Sequence, residues 1–172
     1  CRVQIQPAVL GEKTTTVIWH VYHADRISVI DIHSGLGAYG YGEVINDHPP
    51  HTSGFSWVNS FYGNNACSTQ LGESCSAPKL GLIDYYWHDL IQDRGCFVTL
   101  ENGTYSVERL ITVLLKEQMF HNSLPTRLNR DLTSPYVVNL RDFFYPDEVS
   151  WKQQVIFRAR QVISMALTGI TK

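Results

Sequence analysis

Apolar residues recur along this 172-residue chain with two periods, and the predicted elements follow from where each period holds. "RISVIDI" (26–32) is a short β-branched run followed at once by turn formers, which reads as a buried, central strand. "CFVTLE" (96–101) is a second such run, ending on an acid ahead of "NGT". Helical spacing takes over in "KLGLIDYYWHDLI" (79–91), where Leu80, Ile83, Trp87 and Leu90 share a face. In "SVERLITVLLKEQMF" (106–120) the stripe is Val107, Leu110, Ile111, Leu114 and Leu115. A last helix is predicted from about Glu148 to Leu167, with Asp147 as N-cap and Gly169 as its terminating glycine. Val155, Ala159, Val162, Ile163 and Ala166 form its core stripe. Residues 34–66 are rich in Gly, Pro, Ser, Asn and aromatics and read as a long loop over an active or binding face.

Strands alternating with helices predict an α/β fold, a mostly parallel or mixed sheet flanked by helices. No repeat or low-complexity tract divides the chain, so residues 1–172 read as one domain portion with residues 1–25 as an undefined lead-in. A hydrophobic content of 44% is ample for a core. The formal net charge of −2, with no segment concentrating Lys and Arg, argues against nucleic acid as a partner. No apolar stretch reaches the roughly 20 residues of a membrane span.

The sequence opens at Cys1 without Met or a signal-peptide pattern, so an upstream segment is expected. Four cysteines, Cys1, Cys67, Cys75 and Cys96, allow three pairings. The polar stretch "CSTQLGESC" would close as a Cys67–Cys75 disulfide, worth on the order of 2–3 kcal/mol in the chain-entropy account. Their spacing does not suit a zinc knuckle. Disulfide use implies an oxidising setting, extracellular or luminal. Asn102 in "NGT" is a glycosylation acceptor pattern.

In open α/β sheets ligands bind outside the carboxyl ends of strands, which is where His33 and Glu101 fall. If the two strands are neighbours, an imidazole and a carboxylate share one crevice. Asp31, two residues before His33, points to the same side and could take the other ring N–H of a metal-bound His33. The plainer alternative makes His33 a turn residue and Glu101 a helix-flanking acid. Further candidates are the hydroxyls of Tyr39, Tyr41, Tyr85 and Tyr86, the pair His48 and His51 around "PP", and Arg127, Arg130 and Arg141 for a substrate carboxylate. Each has an ordinary surface or packing role as its alternative. Cys1, as an N-terminal nucleophile with its own amine as base, defines a separate hydrolase hypothesis.

"VIDIHSGLGAYGYGE" resembles the D-[LI]-H-[TS]-G-L-G signature of a branch, of the DUF2817 type, of the zinc-carboxypeptidase-like (M14-like) superfamily. "TLENGTYSVERLITVLLKEQMFHN" is similar to that branch's E-x-G-T segment and following helix, and "DFFYPDEVSWKQQVIFRARQVISMALTG" to its closing helix. The resemblance runs in order from about residue 26 to 170. It implies a carboxypeptidase/phosphorylase-hydrolase-like fold in which His33 helps bind zinc on a glycine-rich loop and Glu101 is the general base. The substrate class would be a peptide or an N-acyl amino acid. The superfamily's H-x-x-E motif is missing, because the third residue after each of the seven histidines is never Glu. Two of the usual three protein ligands to a catalytic zinc are therefore expected from elsewhere, and the chain reads as the C-terminal half of such a domain. His20 or His23 could supply a ligand only if it lay at the site. The N-terminal half, or another chain, would cover an otherwise exposed sheet edge. The competing expectation is a non-catalytic structural or binding subunit that keeps the fold without a complete zinc site, which the missing motif and Asn102 both favour.

Overall fold

The computed structural model describes residues 23–124 and 132–171. In chain order these form β1 (Ile27–Gly35), β2 (Gly42–Asn46), α1 (Ser53–Tyr62), a 3-10 turn (Gly63–Asn65), β3 (Ala66–Ser68), α2 (Ile83–Ile91), β4 (Gly95–Gly103), α3 (Val107–Ser123), α4 (Pro135–Phe144) and α5 (Val149–Thr171). The strands make one mixed four-stranded sheet in the order β1-β4-β2-β3, flanked by helices, so the α/β class holds. β2 and β3 are parallel, with Val44 opposite Ala66 and Ile45 opposite Cys67. β4 is interior and buried at every position except Thr99, which explains its nearly unbroken apolar run. The central place predicted for residues 26–32 is corrected: β1 ends the sheet order, and past Ile27 its residues are only half-buried or exposed until Gly35.

Two compact units are formed. In the first, of residues 23–31, 44–99 and 162–171, Ile27, Ile91 and Phe97 make a core to which Ala24, Val29 and Trp87 add. The 34–66 loop expectation is overturned by β2 and by α1. Thr52 caps α1, its Oγ1 accepting from Phe55 N–H at 3.3 Å, and Val58, Phe61 and Tyr62 turn inward at helical spacing. The polar residues between them hid that period. α2 starts at Ile83, after Gly81 takes φ +76°, so Leu80 stays outside the helix and 95% exposed while Leu90 and Ile91 carry the burial. Gly169 lies inside α5 and does not end it, because a Cβ there would come within 2.3 Å of Phe61 Cδ1. Val162 and Ala166 are the buried members of the stripe predicted there.

The second unit spans Ile32–Glu43 and Leu100–Gln161. α3 packs on α4, with Phe120 stacked on Tyr136 at 5.2 Å between ring centres. The predicted α3 stripe is turned mostly outward: Val107, Ile111, Leu114 and Leu115 are exposed, together with Met119. Leu110, Val113 and Phe120 are the half-buried side instead, because α4 covers only one flank of the helix. The first backbone bond of α5 runs from Lys152 N–H to the Glu148 carbonyl, and Asp147 pairs with the Lys152 ammonium, so the cap lies one residue later than predicted.

Candidate functional site

The second unit joins the last residues of β1 to the last residues of β4 through side chains. His33 is still in strand β1, so it is not presented on a mobile loop as expected, and Glu101 is followed by two further strand residues. Glu101 Oε1 accepts the Leu36 N–H at 3.0 Å, Asn102 Nδ2 donates to the His33 carbonyl at 3.0 Å, and Thr104 Oγ1 donates to the Gly35 carbonyl at 3.0 Å. Ser34 Oγ donates to the Phe144 carbonyl at 2.6 Å. "H-S-G-L" is thus held by "E-N-G-T" and by the end of α4. The turn after it is fixed too: Gly40 N–H donates to the Gly103 carbonyl and Gly103 N–H to the Tyr41 carbonyl, both at 2.9 Å. Trp151 Nε1 donates to the same Gly103 carbonyl at 2.9 Å. Glycine is required at 103, where a Cβ would meet the Ala38 carbonyl oxygen at 2.0 Å.

His33 and Glu101 do converge: Nδ1 lies 3.8 Å from Oε2. That is beyond hydrogen-bond length, so the pair is an electrostatic neighbourhood with room to tighten. The His33 side chain is 51% exposed and that of Glu101 9%, a solvent-facing imidazole beside a buried carboxylate. One Glu101 oxygen is occupied by a backbone donor and the other faces the imidazole. Tyr39 is 37% exposed, and local desolvation of its hydroxyl and the neighbouring Glu148 carboxylate push its phenol up to about 12. Arg158 donates from Nε to the Gly42 carbonyl at 2.7 Å and lies near the exposed Tyr41 ring.

As a metal donor His33 is sterically available, but among the described residues no cluster of three or more His, Cys, Asp and Glu is arranged to hold an ion. The described residues alone therefore do not make the zinc site that the resemblance implies. Asp31 is half-buried in β1, and its charge reaches Asp84 in the first unit. Burial chiefly, with help from Asp47 and Asp31, pushes the Asp84 carboxyl up to about 6.

The remaining candidates separate clearly. No disulfide joins cysteines among the described residues, which corrects the Cys67–Cys75 expectation. That loop is closed by hydrogen bonds instead, from Ser68 N–H to Glu73 Oε2 and from Glu73 N–H to the Ser68 carbonyl. Asn102 is 1% exposed with its amide engaged, so it serves as an internal donor with no surface for a glycan. His48, expected on a surface loop, is buried and stacked on His88 at 3.7 Å, its Nε2 accepting the Phe97 N–H at 3.1 Å. His51 has φ +70° in the turn before α1. Tyr85 donates its hydroxyl to the Lys79 carbonyl, Tyr86 is exposed, and Arg141 pairs with Asp142. His23 is exposed at the start of the described residues. Cys1, His20, Arg127 and Arg130 lie outside them. Sequence reasoning missed the bracketing donors Ser34 and Thr104 and the stacked His48–His88 pair.

The fold and the site define an α/β domain that sets an imidazole beside a buried carboxylate near the ends of two neighbouring strands. The chain belongs to DUF2817, a family described as a protein of unknown function, whose family model matches residues 11–158. No curated protein and no solved structure matches it.

Proposed function

We propose that this chain is part of a zinc-dependent amide hydrolase, of metallocarboxypeptidase or small-molecule deacylase type, in which Glu101 is the general base and His33 one of the zinc ligands. The observation that carries this reading is the buried Glu101 carboxylate, held on the Leu36 N–H and facing the exposed His33 imidazole at 3.8 Å. The motifs around both residues support it through their resemblance to the zinc-carboxypeptidase-like superfamily. A bound zinc would supply Lewis acidity toward the scissile carbonyl.

The chain's own contribution is positional. Glu101 takes a proton from the attacking water at Oε2 and returns it to the departing amine, while Oε1 stays on Leu36 N–H so that the carboxylate does not rotate during the transfer. The remaining ligands would come from an N-terminal portion or a partner chain carrying H-x-x-E. The end position of β1 in the sheet order and the outward apolar face of α3 are surfaces such a segment could cover. No helix among the described residues is long and apolar enough to cross a membrane.

The absence of H-x-x-E from the sequence and of a three-donor cluster from the described residues favours a second reading, a non-catalytic subunit that keeps the fold. The two separate in a hydrolysis assay of the natively purified protein, with its co-purifying chains, against N-acyl amino acids and short peptides. The enzyme reading expects turnover that Glu101→Gln lowers by about 10²–10⁴-fold. Turnover unchanged in Glu101→Gln would remove Glu101 from the chemistry, and no turnover at all would favour the non-catalytic subunit.

A further inference from the structure

Glu101 and His33 sit on different strands, and their own 3.8 Å contact is too long to fix their separation. Asn102 ties the residue beside Glu101 directly to the backbone of His33 itself. It follows Glu101 in β4, is 1% exposed, and sends Nδ2 to the His33 carbonyl at 3.0 Å, with the Leu100 carbonyl at 3.4 Å. We propose that Asn102 is a positioning residue whose side-chain amide locks the His33 backbone to β4 and so sets the geometry between the imidazole and the Glu101 carboxylate. This rests on the functional reading above for its importance, though not for its geometry.

The amide's orientation is dictated by its surroundings. Both neighbours of Nδ2 are carbonyl oxygens, so the reversed amide would put oxygen against oxygen. Its Oδ1 is buried without a hydrogen-bond partner among the described residues and points toward Gly42, where a Cβ would stand 3.1 Å away. A buried unpaired acceptor is unfavourable, so the arrangement retains the donor at a cost on the acceptor side. Gly42 leaves the room the amide needs. Asp at 102 would replace the donor by a second acceptor, Leu would take the Asn102 donor away from the His33 carbonyl, and Ser would be too short to reach it.

The test is nuclear magnetic resonance on the full chain, recording amide hydrogen exchange and the His33 ring signals in wild type, Asn102→Leu and Asn102→Ser. Thr52→Ala, which removes the α1 cap in the other unit, controls for lost stability alone. Both Asn102 variants are expected to shift the His33 ring signals and to speed exchange of the Leu36 amide by about tenfold or more, while the Phe97 amide held by His48 keeps its protection. Thr52→Ala should leave the His33 ring signals in place. Unchanged His33 ring signals and Leu36 protection in whichever Asn102 variant folds would overturn the proposal, as would the same shifts in Thr52→Ala. The readout needs no substrate or metal, so failure of positioning is distinguishable from failure of the hydrolase reading, which Glu101→Gln tests.

Discussion

Replacing Gly35 by Ala probes the bracket around His33 with a single methyl group. Gly35 has φ +149°, a conformation that side chains rarely adopt, and imposing it on alanine costs about 1–3 kcal/mol. The new Cβ would also stand 3.1 Å from Phe144 Cε1 and 3.7 Å from Glu101 Oε1. The Phe144 ring, packed edge-on against Phe143 at 5.2 Å between centres, has to give way, and crowding of this kind adds about 1 kcal/mol. Gly72→Ala is the matched control: φ there is +73°, but no atom lies within 4 Å of the added methyl, so only the backbone cost of about 1–2 kcal/mol applies. Urea denaturation followed by tryptophan fluorescence, analysed for both variants at equal slope, compares them directly. Gly35→Ala is expected to lose about 2–4 kcal/mol in all, clearly more than Gly72→Ala. A loss equal to or smaller than that of Gly72→Ala would show that the "H-S-G-L" segment is not held as tightly as its hydrogen bonds imply.

Two further outcomes follow from buried titratable groups in the first unit. Asp84, raised by burial from 3.8 to about 6, keeps its proton longer in the folded state, so its contribution to stability is greatest below pH 4 and is lost as pH rises through 6. The stability difference between Asp84→Asn and wild type should therefore move in the variant's favour across that window, and a difference flat with pH would contradict it. Cys96 is fully buried and its thiol is pushed up to about 12 by that burial, so a disulfide-exchange reagent should label it only as fast as the protein opens. Rapid labelling in native buffer would refute this placement.

β1, β4 and the α3 and α5 helices were legible because their apolar residues are dense enough to show a period against any background, whereas β2 was lost in the glycine-rich stretch around it. α1 was not, since Val58, Phe61 and Tyr62 are diluted by Gly, Ser and Asn, and its cap, Thr52, follows a proline pair that looks like loop. Periodicity also shows that a helix has an apolar side without showing that something covers it, which is why the α3 stripe could be read while its exposure could not. The His33–Glu101 meeting was legible because two strand ends in an α/β sheet point to one edge. What Asn102 and Thr104 do was not, because a side chain that bonds a neighbouring strand's carbonyl depends on which strand is the neighbour. Cys67 and Cys75 invited a disulfide by their separation alone, yet Glu73 already closes that loop.

The most direct test of the central claim is elemental mass spectrometry for zinc on the natively purified protein and its His33→Ala variant, with intact masses of every co-purifying chain. The account predicts about one zinc per chain in the wild type, its loss in His33→Ala, and a segment bearing H-x-x-E in the same preparation. Zinc retained in full by His33→Ala, or a wild-type preparation with neither zinc nor such a segment, would contradict it.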